Sequence, residues 1–155
     1  LPYRWRKPSA LTLTSTTSEA NMVLRNGIDR QWDGADNGVW VAPGEESIVY
    51  NWKKPVTISG ARIIFDSEFK YRSKRMRKLE ATTERVEVPR MMTKDFRIEA
   101  QTGKGEWTTV YEGKGNYLRL RKIQFEKPVK ANALRLVVDS TWGAEKAHVF
   151  AFDAL

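Results

Sequence analysis

The sequence predicts an all-β protein, an antiparallel sandwich or barrel, on three observations. Apolar and polar side chains alternate at period two in several separate stretches, glycines and prolines punctuate those stretches, and only one short segment reads as helix. Alternation at period two puts one set of side chains on one face of a strand, so each stretch offers an apolar face to a shared interior.

Taken in order, the helical segment comes first. Met22, Val23 and Leu24 cluster within Glu19 to Asn26, and Gly27 then supplies the left-handed residue that ends a helix. Ile48, Tyr50 and Trp52 form the apolar side of the first long strand, and Ala61, Ile63 and Phe65 that of the next. Between them stands Lys53-Lys54-Pro55, which reads as the end of one strand and the start of another. Glu126-Lys127-Pro128 repeats the arrangement, and each charged pair with its proline leads within a few residues to a further alternating strand, so the two are equivalent corners. Phe96, Ile98 and Ala100 alternate ahead of Thr102-Gly103-Lys104-Gly105, a hairpin turn that delivers Trp107 into the following strand. Leu134, Leu136 and Val138 alternate in turn, and Ala147 to Leu155 is apolar on both faces, as a central strand should be. Two long connections remain, near residues 29–47 and 66–94, and long loops of this kind tend to carry function.

A chain of 155 residues fits one domain with a single core, so 1–155 is expected to be one module. There is no cysteine, which removes disulfides, thiolate zinc sites and thiol nucleophiles. No apolar run is long enough for a membrane helix. The start, Leu1-Pro2-Tyr3-Arg4-Trp5-Arg6-Lys7-Pro8, is neither a signal nor a transit peptide and lacks an initiator methionine, so the chain reads as mature or excised from a longer protein. The net charge of +8 is unevenly spread, because residues 70–90 hold eight Lys or Arg against three Glu. A uniformly basic face of the kind that wraps nucleic acid is therefore not expected.

Catalytic motifs are missing. The single histidine, His148, stands beside Val149 and Phe150 with no serine or cysteine close in sequence, and reads as a packing or edge residue. No acyl-transfer triad, phosphate loop or dinucleotide fingerprint is present, and Gly103 with Gly105 lacks the rest of such a fingerprint. The chain is expected not to be an enzyme in its own right, with no cofactor unless calcium binds.

Three groups of side chains are candidates for recognition. Asp29, Asp33, Asp36 and Asn37 offer four oxygen-bearing side chains within nine residues, the donor type that calcium takes, although the spacing is not that of an EF-hand; the same residues also suit turn capping. Among six tryptophans, Trp52 belongs to an alternating strand and Trp107 follows a turn, but Trp32 and Trp142 lie outside any apolar run. An indole on a loop either anchors that loop or stacks on the apolar face of a sugar, and Arg30, Asp36 and Asn37 are the polar partners that would bind sugar hydroxyls. Lastly, Lys70, Arg72, Lys74, Arg75, Arg77 and Lys78 make a basic run that is either a solvated loop or a docking patch for an acidic partner; with Tyr71 its one aromatic, it makes a poor single-strand platform.

Asn26-Gly27-Ile28-Asp29-Arg30, Asn37-Gly38-Val39-Trp40-Val41, Ile48-Val49-Tyr50-Asn51-Trp52 and Pro55-Val56-Thr57-Ile58 together resemble a discoidin module, also called a galactose-binding-like or coagulation-factor C-type domain. Ile64-Phe65-Asp66-Ser67, Val88-Pro89 through Lys94-Asp95-Phe96-Arg97-Ile98-Glu99, Gly115-Asn116-Tyr117-Leu118-Arg119 and Ala133 to Val138 are similar to the module at the C-terminus of certain bacterial FAD-dependent oxidoreductases. The resemblance spans roughly residues 10–155. It implies an eight-stranded jelly-roll sandwich with its ligand site in loops at one end, a buried Trp40, and a structural calcium held by the acidic loop plus a carboxylate of the last strand, where this chain has Ala151. It also implies either an accessory module that binds a glycan or a docking domain of a larger enzyme, and export to the periplasm or cell surface.

Overall fold

The computed structural model describes residues 6–31, 34–67 and 88–155. A short helix α1, Ala10–Thr14, and a 3-10 helix, Glu19–Arg25, precede six strands: β1 (Val39–Val41), β2 (Ser47–Phe65), β3 (Thr93–Gln101), β4 (Thr108–Gly113), β5 (Leu120–Thr141) and β6 (Ala147–Ala154). Their antiparallel order is β1-β6-β2-β5-β3-β4. Gly27, with φ of 82°, follows the 3-10 helix as its spacing predicts. The α1 helix was not foreseen; Ser9 caps it through a bond from the Thr12 amide to its hydroxyl.

The two prolines do not end strands. Each of β2 and β5 runs on through its corner and serves both layers of the sandwich. The first half of β2 pairs with the second half of β5, from Ser47↔Val137 to Asn51↔Ala133, while the second half of β2 pairs with the start of β5, from Gly60↔Gln124 to Ile64↔Leu120. Between these ladders the register slips twice, leaving Trp52–Pro55 unpaired on β2 and Phe125–Pro128 unpaired on β5. A residue without an amide hydrogen costs nothing where no ladder bond is made, so both prolines sit in bulges where the ribbon bends. Burial repeats residue for residue from Trp52 to Phe65 and from Phe125 to Val138, each run passing from a buried aromatic through an exposed charged corner into an apolar strand. Counting the halves of β2 and β5 separately turns six strands into eight segments, the arrangement expected of a jelly roll.

Folding the ribbon over encloses the core. Tyr50 of one layer stacks on Phe152 of the other at 5.1 Å, and its hydroxyl donates to the Phe152 carbonyl at 2.6 Å. Burial pushes the Tyr50 phenol well up, so it stays a donor. Phe65 meets Phe96 across the layers at 5.2 Å, which brings the two ends of the folded ribbon to the same, open end of the sandwich. Trp52 is buried, as its alternation predicts, while Trp107 is partly buried beneath the guanidinium of Arg135.

At the bend the strands approach too closely for side chains. A methyl group on Gly60 would stand 2.1 Å from the Ile123 carbonyl oxygen, a backbone atom that cannot step aside. Gly60→Ala is expected to cost roughly 1–3 kcal/mol or more in urea unfolding; an unchanged midpoint would show that the ribbon is looser there than described.

Candidate functional site

Strand β6 is buried along its whole length because both of its faces are covered, yet it carries two polar side chains, His148 and Asp153, and each organises a polar layer.

The Asp153 layer joins three distant parts of the chain. Arg6 donates through Nε to Asp29 Oδ1 at 2.7 Å, through Nη1 to Asp153 Oδ1 at 3.0 Å and through Nη2 to the Leu24 carbonyl at 2.9 Å. Arg62, opposite Asp153 in the β2–β6 ladder, reaches Asp29 Oδ2 at 3.2 Å and Asp153 Oδ2 at 3.5 Å. Arg119 donates to the Asp29 carbonyl and lies over the Phe150 ring, and burial lowers its pKa. Burial also pushes the Asp153 carboxyl above the usual carboxylate range, and the guanidinium groups of Arg6 and Arg62 pull it back only in part.

These are the oxygens a structural calcium would need: a loop carboxylate, a last-strand carboxylate and nearby carbonyls. Guanidinium groups already occupy them. A dication placed there would face Arg6 and Arg62, so the described residues do not fit calcium. The last-strand carboxylate is Asp153, two residues beyond the Ala151 position that the resemblance implied. Asp29 and Asp36 are committed to separate layers, Asp33 lies outside the described residues, and among the described residues no three His, Cys, Asp or Glu side chains are grouped to hold a metal.

The His148 layer sits nearer the open end. His148, fully buried, has Nδ1 2.7 Å from Asp66 Oδ2 and Nε2 2.8 Å from Asp36 Oδ1. The Gly38 amide donates to Asp36 Oδ1 at 3.0 Å, and the Trp40 indole donates to Asp36 Oδ2 at 2.9 Å. Trp40, opposite His148 in the β1–β6 ladder, stacks on the imidazole at 4.2 Å with planes 10° apart. Trp40 is not buried as the resemblance implies: 43% of it is exposed, while one face of its ring covers the histidine. Both imidazole nitrogens are engaged by carboxylates, so His148 packs and braces rather than facing a substrate.

Loops gather at the open end. The Asn116 amide bonds to the Lys94 carbonyl at 2.8 Å, the Trp142 amide to Met92 at 3.2 Å, and the Ala144 amide to Arg90 at 3.0 Å. Asp95 fixes the 114–116 turn by accepting from the Gly115 amide and the Ser140 hydroxyl, and these bonds hold its carboxyl below the usual range. The Trp142 indole donates to the Asn116 carbonyl at 2.6 Å, so the ring is anchored while 37% of the residue stays exposed, with the Lys94 ammonium 5.1 Å from its centroid. Tyr117 and Leu118, which follow Asn116 in the chain, are exposed.

The sequence-predicted residues thus divide. Trp142 reaches the open end; Asp36 braces Trp40; Asn37 shapes its own loop by donating to the Arg30 and Ala35 carbonyls. Trp32, together with the basic run Lys70, Arg72, Lys74, Arg75, Arg77 and Lys78, lies outside the described residues. Arg6, Asp66, Asn116 and Asp153 were not foreseen as site residues. Only the pair of polar residues inside the otherwise apolar β6 signalled that something polar covers it.

No family model matches the chain, and no curated protein matches it. Solved structures do. The family 32 carbohydrate-binding module from Streptococcus pneumoniae EndoD superposes with a TM-score of 0.65 at 20% identity over 95% of this chain and 99% of its own. Chitosan-binding module 1 of a chitosanase/glucanase from Paenibacillus sp. IK-5 gives 0.60 at 15% identity over 94% and 97% of the two chains. The family 32 module from Clostridium perfringens NanJ, solved in complex with galactose, gives 0.58 at 16% identity over 95% and 97%. The fold is accordingly that of the galactose-binding-like jelly-roll sandwiches.

Removing Arg6 leaves two largely buried carboxylates short of a cation, so Arg6→Ala is expected to lose about 3–5 kcal/mol in urea unfolding. Millimolar calcium is expected to leave the thermal midpoint of the unsubstituted chain unchanged; a clear calcium-dependent rise would restore the metal. A carboxyl held above its unfolded value keeps its proton longer in the folded chain, so Asp153 contributes a loss of stability as pH rises from the ordinary carboxylate range through that raised value. Unfolding measured across this window is expected to lose that component in Asp153→Asn; an identical pH slope would contradict it.

Proposed function

We propose that the chain is a non-catalytic module that binds a carbohydrate-type ligand through loops at the open end of the sandwich. The observation that carries this reading is the exposed Trp142 ring, held by its indole nitrogen to the Asn116 backbone, with the exposed Tyr117 following Asn116 in the chain. An anchored, solvent-facing indole suits the apolar face of a pyranose and loses little freedom when a ligand arrives. The likeness to modules described as carbohydrate-binding, one of them in complex with galactose, supports the same reading. So does His148, whose ring nitrogens are both engaged by carboxylates. Arg30 and Asp36 are the proposed polar partners, and Asn37 keeps their loop in shape. Among the described residues no helix is long and apolar enough to cross a membrane.

Calorimetry with galactose, chitotriose and a wider glycan panel tests this. Saturable binding is expected, weakened about tenfold or more by Trp142→Ala. Absence of binding to every glycan at millimolar concentration would sink the reading. It would favour docking to another domain, such as that of an FAD-dependent oxidoreductase, through the basic run at Lys70–Lys78.

A further inference from the structure

Building on the carbohydrate reading above, we propose that Trp40 is a second sugar-stacking position, on the outer face of the β1–β6 ladder, that takes neutral or amino sugars and rejects acidic ones. The indole is held on one face and at its nitrogen. Its inner face lies on His148 at 4.2 Å, and its nitrogen donates to Asp36 Oδ2 at 2.9 Å. His148 is in turn held by Asp36 at 2.8 Å, by Asp66 at 2.7 Å and by the edge of Phe150 at 4.7 Å. Gly38 lets the loop close over this network, because a methyl group there would stand 2.4 Å from His148 Nε2. Among the described residues no second ring stacks on the indole, and 43% of Trp40 is exposed.

Fold stability does not call for such a support. Burying an imidazole with Asp66 removes polar groups from water, and apolar side chains of similar shape would fill the space at lower cost. A fully engaged polar network gives instead a single position for the ring above it. A ring already fixed loses no rotamer freedom on binding, which is the advantage of a preorganised recognition surface.

The sugar class follows from Asp36. Its side chain is 44% exposed and stands at the indole nitrogen, so the second lone pair of Oδ2 can accept from a sugar hydroxyl or an ammonium group. The same carboxylate repels a uronate. Trp142 differs in kind, since an ammonium, Lys94, lies over its ring.

The test is nitrogen–proton NMR of the six indole groups in the whole chain, assigned by single substitution and titrated with galactose, chitotriose and glucuronic acid. The Trp40 cross-peak is expected to shift saturably with galactose or chitotriose and not with glucuronic acid. Trp40→Ala is expected to remove the site, Trp40→Phe to keep it with weaker binding, and Asp36→Asn to reduce affinity about tenfold. The wild-type titration reads the ring directly, so it stands even if a variant folds poorly. Sugar binding that shifts Trp142 alone would overturn this second position while leaving the carbohydrate reading intact. A preference for glucuronic acid at Trp40 would overturn the sugar class, and no shift of any indole with any sugar would sink both.

Discussion

A strand that serves both layers of a sandwich must change direction somewhere, and there its backbone groups cannot pair with a neighbour. Here two such strands, β2 and β5, run side by side, so their bends must fall together. The chain meets this constraint by placing a charged pair and a proline at each bend, giving up ladder bonds over Trp52–Pro55 and Phe125–Pro128. Solvent covers the charged residues, the prolines have no amide to leave unpaired, and Gly60 lets the crossing backbones touch. The rest depends on this fold-over. It closes the core around Tyr50, Phe65, Phe96 and Phe152, and it returns both ends of the ribbon to one open end where loops collect.

The fold-over leaves one face of β6 to be covered by something other than the core, and the covering is partly ionic. A strand buried on both faces is ordinarily apolar on both. His148 and Asp153 break that rule, and each draws in residues from far away: Asp36, Asp66 and Trp40 for the first, Arg6, Arg62 and Asp29 for the second. Between the two layers, Ile64, Phe150 and Ala151 form a small apolar cluster of their own. The outer face is thus an alternation of polar clamps and apolar filling, and the clamps fix where Arg6, Asp29 and Asp36 lie.

How much of this was legible in the sequence depends on range. Strand positions such as Ile48, Tyr50 and Trp52 were readable because alternation is local and repeated. The glycine after the 3-10 helix and the 102–105 hairpin were readable because each requires a particular residue at a particular place. The continuity of β2 through Pro55 was not, since a proline looks the same at a strand end and in a bulge. The resemblance implies a buried Trp40, yet its exposure is decided by a histidine on another strand, which a matching position does not reveal. The Arg6–Asp153 pair was invisible for the plainest reason: 147 positions separate the partners, and nothing local marks either as belonging to the other.

The use of guanidinium in the Asp153 layer has a consequence for how the module responds to its surroundings. A metal ion is shared with the solution, so its occupancy rises and falls with supply and a chelator can strip it. Arg6 is tethered to the same chain as its partners, so its local concentration is fixed by covalent connection and does not change on dilution. A fold held in this way would keep its shape whether calcium is scarce or plentiful. Its weak point lies instead in the peptide bonds around Arg6: cleavage after it would remove one of the two guanidinium groups that face Asp153 for good and leave only Arg62.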